Sequence, residues 1–85
     1  MEKFKLLSDV KVVYFAETIQ AQADIDGEVV TFRYFEDSNG SEFFILDKQE
    51  RWVATNDEKY DCLSNACGAL ELTKDSKAGD EFYFE

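Results

Sequence analysis

IQAQADIDGEVVTFRYFEDSNGSEFFIL, residues 19–46, decides the fold. Asp26-Gly27 and Asn39-Gly40 are strong hairpin signals, because a two-residue type I′ turn needs positive φ at both central positions and Asn, Asp and Gly tolerate it. Taken as two-residue loops, they set a register. The first pairs Ile25 with Glu28, Ala23 with Val30, Ala21 with Phe32 and Ile19 with Tyr34. The second pairs Glu36 with Phe43, Tyr34 with Ile45 and Phe32 with Asp47. Side chains alternate across a strand, so one face collects Ile19, Ala21, Ala23, Ile25, Val30, Phe32, Tyr34, Phe43 and Ile45. Two independent turns agree on that face, which makes it the core face. The opposite face carries Gln20, Gln22, Asp24, Val29, Thr31, Arg33 and Glu42, with Phe35 and Phe44 paired across strands beside Leu46.

Outward from this stretch, Lys48-Gln49-Glu50 reads as a further turn and Arg51–Ala54 as a strand. Thr55 and Glu58 have capping-box spacing, and Asp57 also suits a helix start. Tyr60, Leu63, Ala66 and Cys67 make an apolar stripe at helical spacing, and Gly68 fits the position just past a helix end. Residues 69–73 (ALELT) and 80–84 (DEFYF) read as strands joined by a polar loop around Ser76 and Gly79. At the start, Phe4, Leu7, Val10 and Tyr14 would suit a helix, but Phe4 and Leu6 alternate with Lys3 and Lys5, which favours a strand. The expectation is a single domain over residues 1–85. It is α+β: a mainly antiparallel sheet, a meander of hairpins, with one α-helix of about three turns on its core face. Small Ala21 and Ala23 would let that helix approach closely.

The chain has 85 residues, 45% of them hydrophobic and 15% aromatic, which is enough apolar surface for one modest core. It has no Pro, so Gly, Asn and Asp must make the turns. No stretch approaches the ~20 apolar residues of a membrane span, and VVYFA (residues 12–16) is too short for a signal-peptide core. The expected compartment is the cytosol. Cys62 and Cys67, five apart on one helix, have poor geometry for a disulfide and read as buried free thiols.

The chemistry inventory points away from catalysis. With no His, the commonest general base and metal ligand is missing, a Cys nucleophile lacks its usual partner, and two Cys cannot complete a zinc site. All four glycines sit where turns or caps need them, so no phosphate-cradling loop is expected. Asp24-Ile25-Asp26-Gly27 and Asp37-Ser38-Asn39-Gly40 place Gly too early for a calcium loop. No enzyme activity, cofactor or metal is expected.

What remains is charge. Nineteen acids stand against nine bases, net −10, and residues 12–47 hold eight acids and one base, Arg33. Such a chain is expected to avoid nucleic acid and anionic membrane; its charge favours a basic protein partner, of which a nucleic-acid-binding enzyme is one case, or serves only as a solubility device. Asp24, Asp26 and Glu28 cluster at one end of the hairpins, and Glu36, Asp37 and Glu42 at the other, roughly 27–30 Å away. Asp57, Glu58 and Asp61 add charge at the helix start. The fold does not obviously require Asp24, Glu28, Glu36, Asp37 or Glu42, and most sit where they repel one another. Acids two apart on a strand are roughly 6.8 Å apart, comparable to two steps of the ~3.4 Å charge spacing of a DNA strand.

The leading expectation is therefore a small non-enzymatic inhibitor that occupies a basic groove as a DNA mimic. In composition it is like phage-type inhibitors of restriction, CRISPR or repair enzymes, although no motif ties it to a family. The alternative is an interaction module, such as an antitoxin, an immunity protein or a small complex subunit, anchored by Phe35 and Phe44 with Leu46 and Trp52.

Overall fold

The computed structural model describes residues 2–13, 18–69 and 71–84, and only the backbone of Glu2, Asp37 and Phe84. The strands are β1 (Glu2–Leu6), β2 (Lys11–Val12), β3 (Ile19–Ile25), β4 (Glu28–Asp37), β5 (Gly40–Leu46), β6 (Trp52–Ala54) and β7 (Glu81–Phe84). A 3-10 turn, Glu58–Tyr60, runs into the one α-helix, α1 (Asp61–Gly68). The strands make one antiparallel sheet in the order β6-β5-β4-β3-β1-β7, with β2 also on β3. The architecture is α+β.

The first hairpin has the register its turn dictates: Ile25 faces Glu28, Ala23 faces Val30, Ala21 faces Phe32 and Ile19 faces Tyr34. Asp26 and Gly27 both take positive φ, 52° and 87°. The Asp24 carboxylate accepts from the Gly27 N–H at 2.7 Å, so this acid is part of the turn.

The second hairpin is shifted by two residues from the sequence expectation. Phe32 faces Ile45, Tyr34 faces Phe43, Glu36 faces Ser41 and Asp37 faces Gly40. The turn is Ser38-Asn39, and positive φ falls on Gly40 (131°) rather than on Asn39. Asp at the first and Gly at the fourth position are what a common type I turn favours, and here they outweigh the Asn-Gly pair. A shift of two preserves alternation, so the core face is unchanged. It does separate Phe35 from Phe44: Phe35 faces Glu42 and Phe44 faces Arg33, leaving the two rings on a diagonal.

The first strand is broken. Leu6 faces Ala23 and Lys11 faces Gln20, so Leu7–Val10 oppose only Gln22 and Ala21. The resulting bulge is held from both sides. Leu7 N–H donates to the Gln22 carbonyl, and Gln22 N–H to Ser8 Oγ at 2.9 Å. From the loop before β7, Ala78 N–H donates to Asp9 Oδ1 at 2.8 Å, while Val10 N–H donates to the Ser76 carbonyl.

The expected strand over residues 69–73 does not form. Leu70 lies outside the described residues, and the N–H groups of Glu71 and Leu72 both bond the Ala66 carbonyl at the helix end. Leu72 is instead a buried plug, 1% exposed. The helix start also differs in detail. Thr55 Oγ1 accepts from Asp57 N–H rather than from Glu58, and Asp57 Oδ1 then accepts from Lys59 N–H, so Asp57 is the cap. Gly68 is the last helical residue rather than the one after it.

The core joins Phe4 and Leu6 of β1 to Ala21, Ala23, Val30, Phe32, Tyr34 and Phe43 of the hairpins and to Tyr60, Leu63, Ala66 and Cys67 of the helical segment. Phe32 stacks on Phe43 with centroids 5.7 Å apart, and Phe4 on Phe82 at 4.8 Å. Burying each such side chain contributes about 1.5–3 kcal/mol. Cys62 and Cys67 are buried free thiols. Among the described residues, helix and loop cover one face of the sheet and none covers the other.

Candidate functional site: an acidic groove between sheet and helix

The two acid clusters expected from the sequence have different surroundings. At the Asp26-Gly27 end the acids are interleaved with lysines from distant parts of the chain. One cleft of about 240 Å³ is shared by Asp24, Asp26, Glu81, Lys3 and Lys5. A second, of about 220 Å³, holds Asp26, Glu28 and Glu58 with Lys3 and Lys59. Lys59 Nζ lies 3.8 Å from Glu28 Oε1 and 5.0 Å from the Tyr60 ring centroid. Glu81 is held below the usual carboxylate range, first by the Tyr83 hydroxyl that donates to it and then by the charges of Lys3 and Lys5. Asp24 and Glu28, which the sequence alone left without a structural reason, thus have partners within the fold.

At the other end a groove of about 440 Å³ runs between the start of β5, the segment after β6 and the helical segment, with the carboxylates of Glu42, Asp57 and Asp61 on its walls. No Lys or Arg is among the described residues that line it. Phe43 and Tyr60, both buried and with ring centroids 6.0 Å apart, line its base. Glu36 stands beside it, since its cross-strand partner Ser41 lines the groove. The Tyr34 hydroxyl donates to Glu36 Oε2 at 3.0 Å, and burial keeps Tyr34 protonated above its ordinary range. Among the described residues no group of three potential ligands is placed to hold a metal ion, so these acids are spread along a wall.

The structure thus brings Glu42, and Glu36 beside it, together with Asp57 and Asp61. It sets Asp24, Asp26 and Glu28 apart on a charge-compensated edge. The side chain of Asp37 lies outside the described residues. Asp57 and Asp61 read in sequence as helix-start charges. Their place on the groove depends on β6 and on the bond from Thr55 N–H to the Phe43 carbonyl, which folds the segment after β6 back over β5.

Phe35 and Phe44 lie on the open face, half-buried, with Leu46 and Trp52. Arg33 binds this patch together: its Cζ is 4.0 Å from the Trp52 ring centroid, and its Nε donates to Gln20 Oε1 at 2.8 Å.

No family model, curated protein or solved structure shows significant similarity to this chain. Among the described residues no helix is long and apolar enough to cross a membrane.

Proposed function

We propose that this protein is a non-enzymatic inhibitor that binds a basic groove on a nucleic-acid-processing protein, presenting carboxylates where that groove would hold phosphates. The observation that carries this reading is the groove walled by Glu42, Asp57 and Asp61, with Glu36 beside it and no cation among its lining residues. Like charges held on one rigid wall cost the free protein stability, and a positively charged partner relieves that cost. Such an interface gains on-rate and specificity from charge and weakens with salt. The partner is a basic protein, not nucleic acid or membrane, and the proposed setting is the cytoplasm of a cell whose defence enzymes the protein blocks.

The test is capture from host lysate on tagged protein, washed at low and high salt and competed with duplex DNA. A nucleic-acid-binding enzyme released by salt and by DNA is the expected result. Reversing Glu42 and Asp61 to Lys should abolish its capture, while reversing Asp26 and Glu28 should weaken it less. A salt-resistant partner with no nucleic-acid site would overturn the proposal. It would favour the second reading, an interaction module anchored by Phe35, Phe44, Leu46 and Trp52, whose half-buried side chains share the open face.

A further inference from the structure

We propose that the open face of the sheet is a two-fold interface on which a second copy of this chain docks face to face. The face is amphipathic. Phe35, Phe44, Leu46 and Trp52 form a half-buried patch on β4, β5 and β6, while Val29 and Tyr83 on the same side of the sheet are 60% and 56% exposed.

Charge selects the occupant. The pairing registers put Lys3, Lys5, Lys11 and Arg33 on this side, against Asp24, Glu42 and Glu81. It is a balanced surface on a molecule of net charge −10. Glu36, Asp57 and Asp61 lie toward the opposite side, and of the groove acids only Glu42, at the groove's rim, shares this face among the described residues. A second copy can therefore approach this face without meeting the repulsion it would meet elsewhere.

The pattern is also self-complementary. Arg33 faces Phe44 and Phe35 faces Glu42, so the four residues make a quadrilateral with the two rings on one diagonal and the opposite charges on the other. A two-fold axis lying along the Phe35–Phe44 diagonal stacks each ring on its own counterpart. The same rotation brings Arg33 of each copy near Glu42 of the other. This is the isologous arrangement of a closed dimer; the diagonal axis lies roughly 35° from the strands, so the strands of the two copies cross at roughly 70°, close to orthogonally packed sheets. Area sets a limit: the molecule's two longer extents, 31 and 29 Å, enclose roughly 900 Å², so a standard interface of about 800 Å² per partner would take most of one side.

The test is sedimentation equilibrium of the isolated chain from about 1 µM to 1 mM, spanning strong to negligible association. Wild type is expected to reach twice the chain mass. Glu42→Arg and Arg33→Glu should each be monomeric, because each sets like charges across the axis. An equimolar mixture of the two should dimerise again, since a heterodimer restores both opposite-charge contacts. Circular dichroism checks that each variant is folded, and Glu42→Arg, at an exposed position, carries the test if Arg33→Glu does not fold. A wild type that stays monomeric, a Glu42→Arg variant that still dimerises, or folded variants whose mixture stays monomeric would each overturn the proposal. No partner is needed, so failure here leaves the inhibitor reading standing.

Discussion

The guanidinium of Arg33 on β4 reaches across β5 to lie 4.0 Å from the ring centroid of Trp52 on β6. The contact ties the short edge strand β6 to the centre of the sheet on the face the helix does not cover. A cation over a partly exposed indole is worth about 0.5–1 kcal/mol. A double-mutant cycle with Arg33→Ala and Trp52→Ala, followed by far-UV circular dichroism in urea, should return a coupling of that size. Strict additivity would mean the contact contributes nothing.

The glycines of the first turn and of the helix end should respond oppositely to alanine. Gly27 sits at φ +87°, and a left-handed conformation costs an L-residue about 1–2 kcal/mol, so Gly27→Ala should lower the unfolding midpoint. Gly68 is helical, and an added Cβ would meet the Tyr34 hydroxyl at 3.5 Å, an ordinary contact. Gly68→Ala should therefore stabilise by about 0.5–1 kcal/mol through helix propensity. A loss at Gly68 would show that the Tyr34–Glu36 hydrogen bond cannot accommodate the methyl group.

Asp47 organises the third turn, accepting from Gln49 N–H and Arg51 N–H at 2.9 Å and pairing with Arg51 Nε at 3.3 Å. These bonds, the Arg51 amide first, hold its carboxyl below the ordinary range. A group depressed in the folded state contributes stability that is present above its unfolded pKa, near 3.9, and is lost as pH falls through the folded value. Asp47→Asn should flatten the acid limb of the stability–pH curve below about pH 4. An unchanged acid limb would exclude this carboxylate from acid unfolding.

Burial pushes the Cys67 thiol up to about 12. A thiolate is the reactive form, so Cys67 should resist alkylation at pH 8 in the folded protein and react at the rate of unfolding. Labelling mapped by mass spectrometry would settle this, and rapid native labelling of Cys67 would mean that the helix end opens readily.

Glu42, like the other groove acids, is exposed, and it lies opposite the uncharged Phe35 on the sheet. Glu42→Gln should raise stability by a few tenths of a kcal/mol at low salt, as an exposed charge relieved of like neighbours does. The gap should close as the Debye length shrinks. A difference independent of ionic strength would point to packing rather than charge.

Much of the fold was legible in residues 19–46, because Asp26-Gly27 admits one turn and alternation then fixes every side chain's face. The second turn lies one residue earlier than Asn39-Gly40 suggests, which shifts the register by two, since Asp37 and Gly40 compete with Asn39-Gly40 for the corner. Alternation absorbs such a shift, so the core was right while the Phe35–Phe44 pairing was not. Glu71 and Leu72 read as strand by composition, but their N–H groups were taken by the Ala66 carbonyl. The acidic site was only half legible. Local spacing showed where acids cluster, but Lys3, Lys5 and Lys59 arrive through long-range pairing, and only the fold reveals which cluster they neutralise.

The bond from Ala78 to Asp9 joins residues 69 positions apart, whereas the β3–β4 and β4–β5 hairpins close over two-residue turns. Nearby contacts form early and distant ones wait on loop closure, so the central meander should assemble first and the Asp9 bulge should lock last. The same seam should be the first to part. In native-state hydrogen exchange, the amides of Val10, Ala78 and Gly79 should open together at a lower free energy than those of β3 and β4, making the flank a separate cooperative unit.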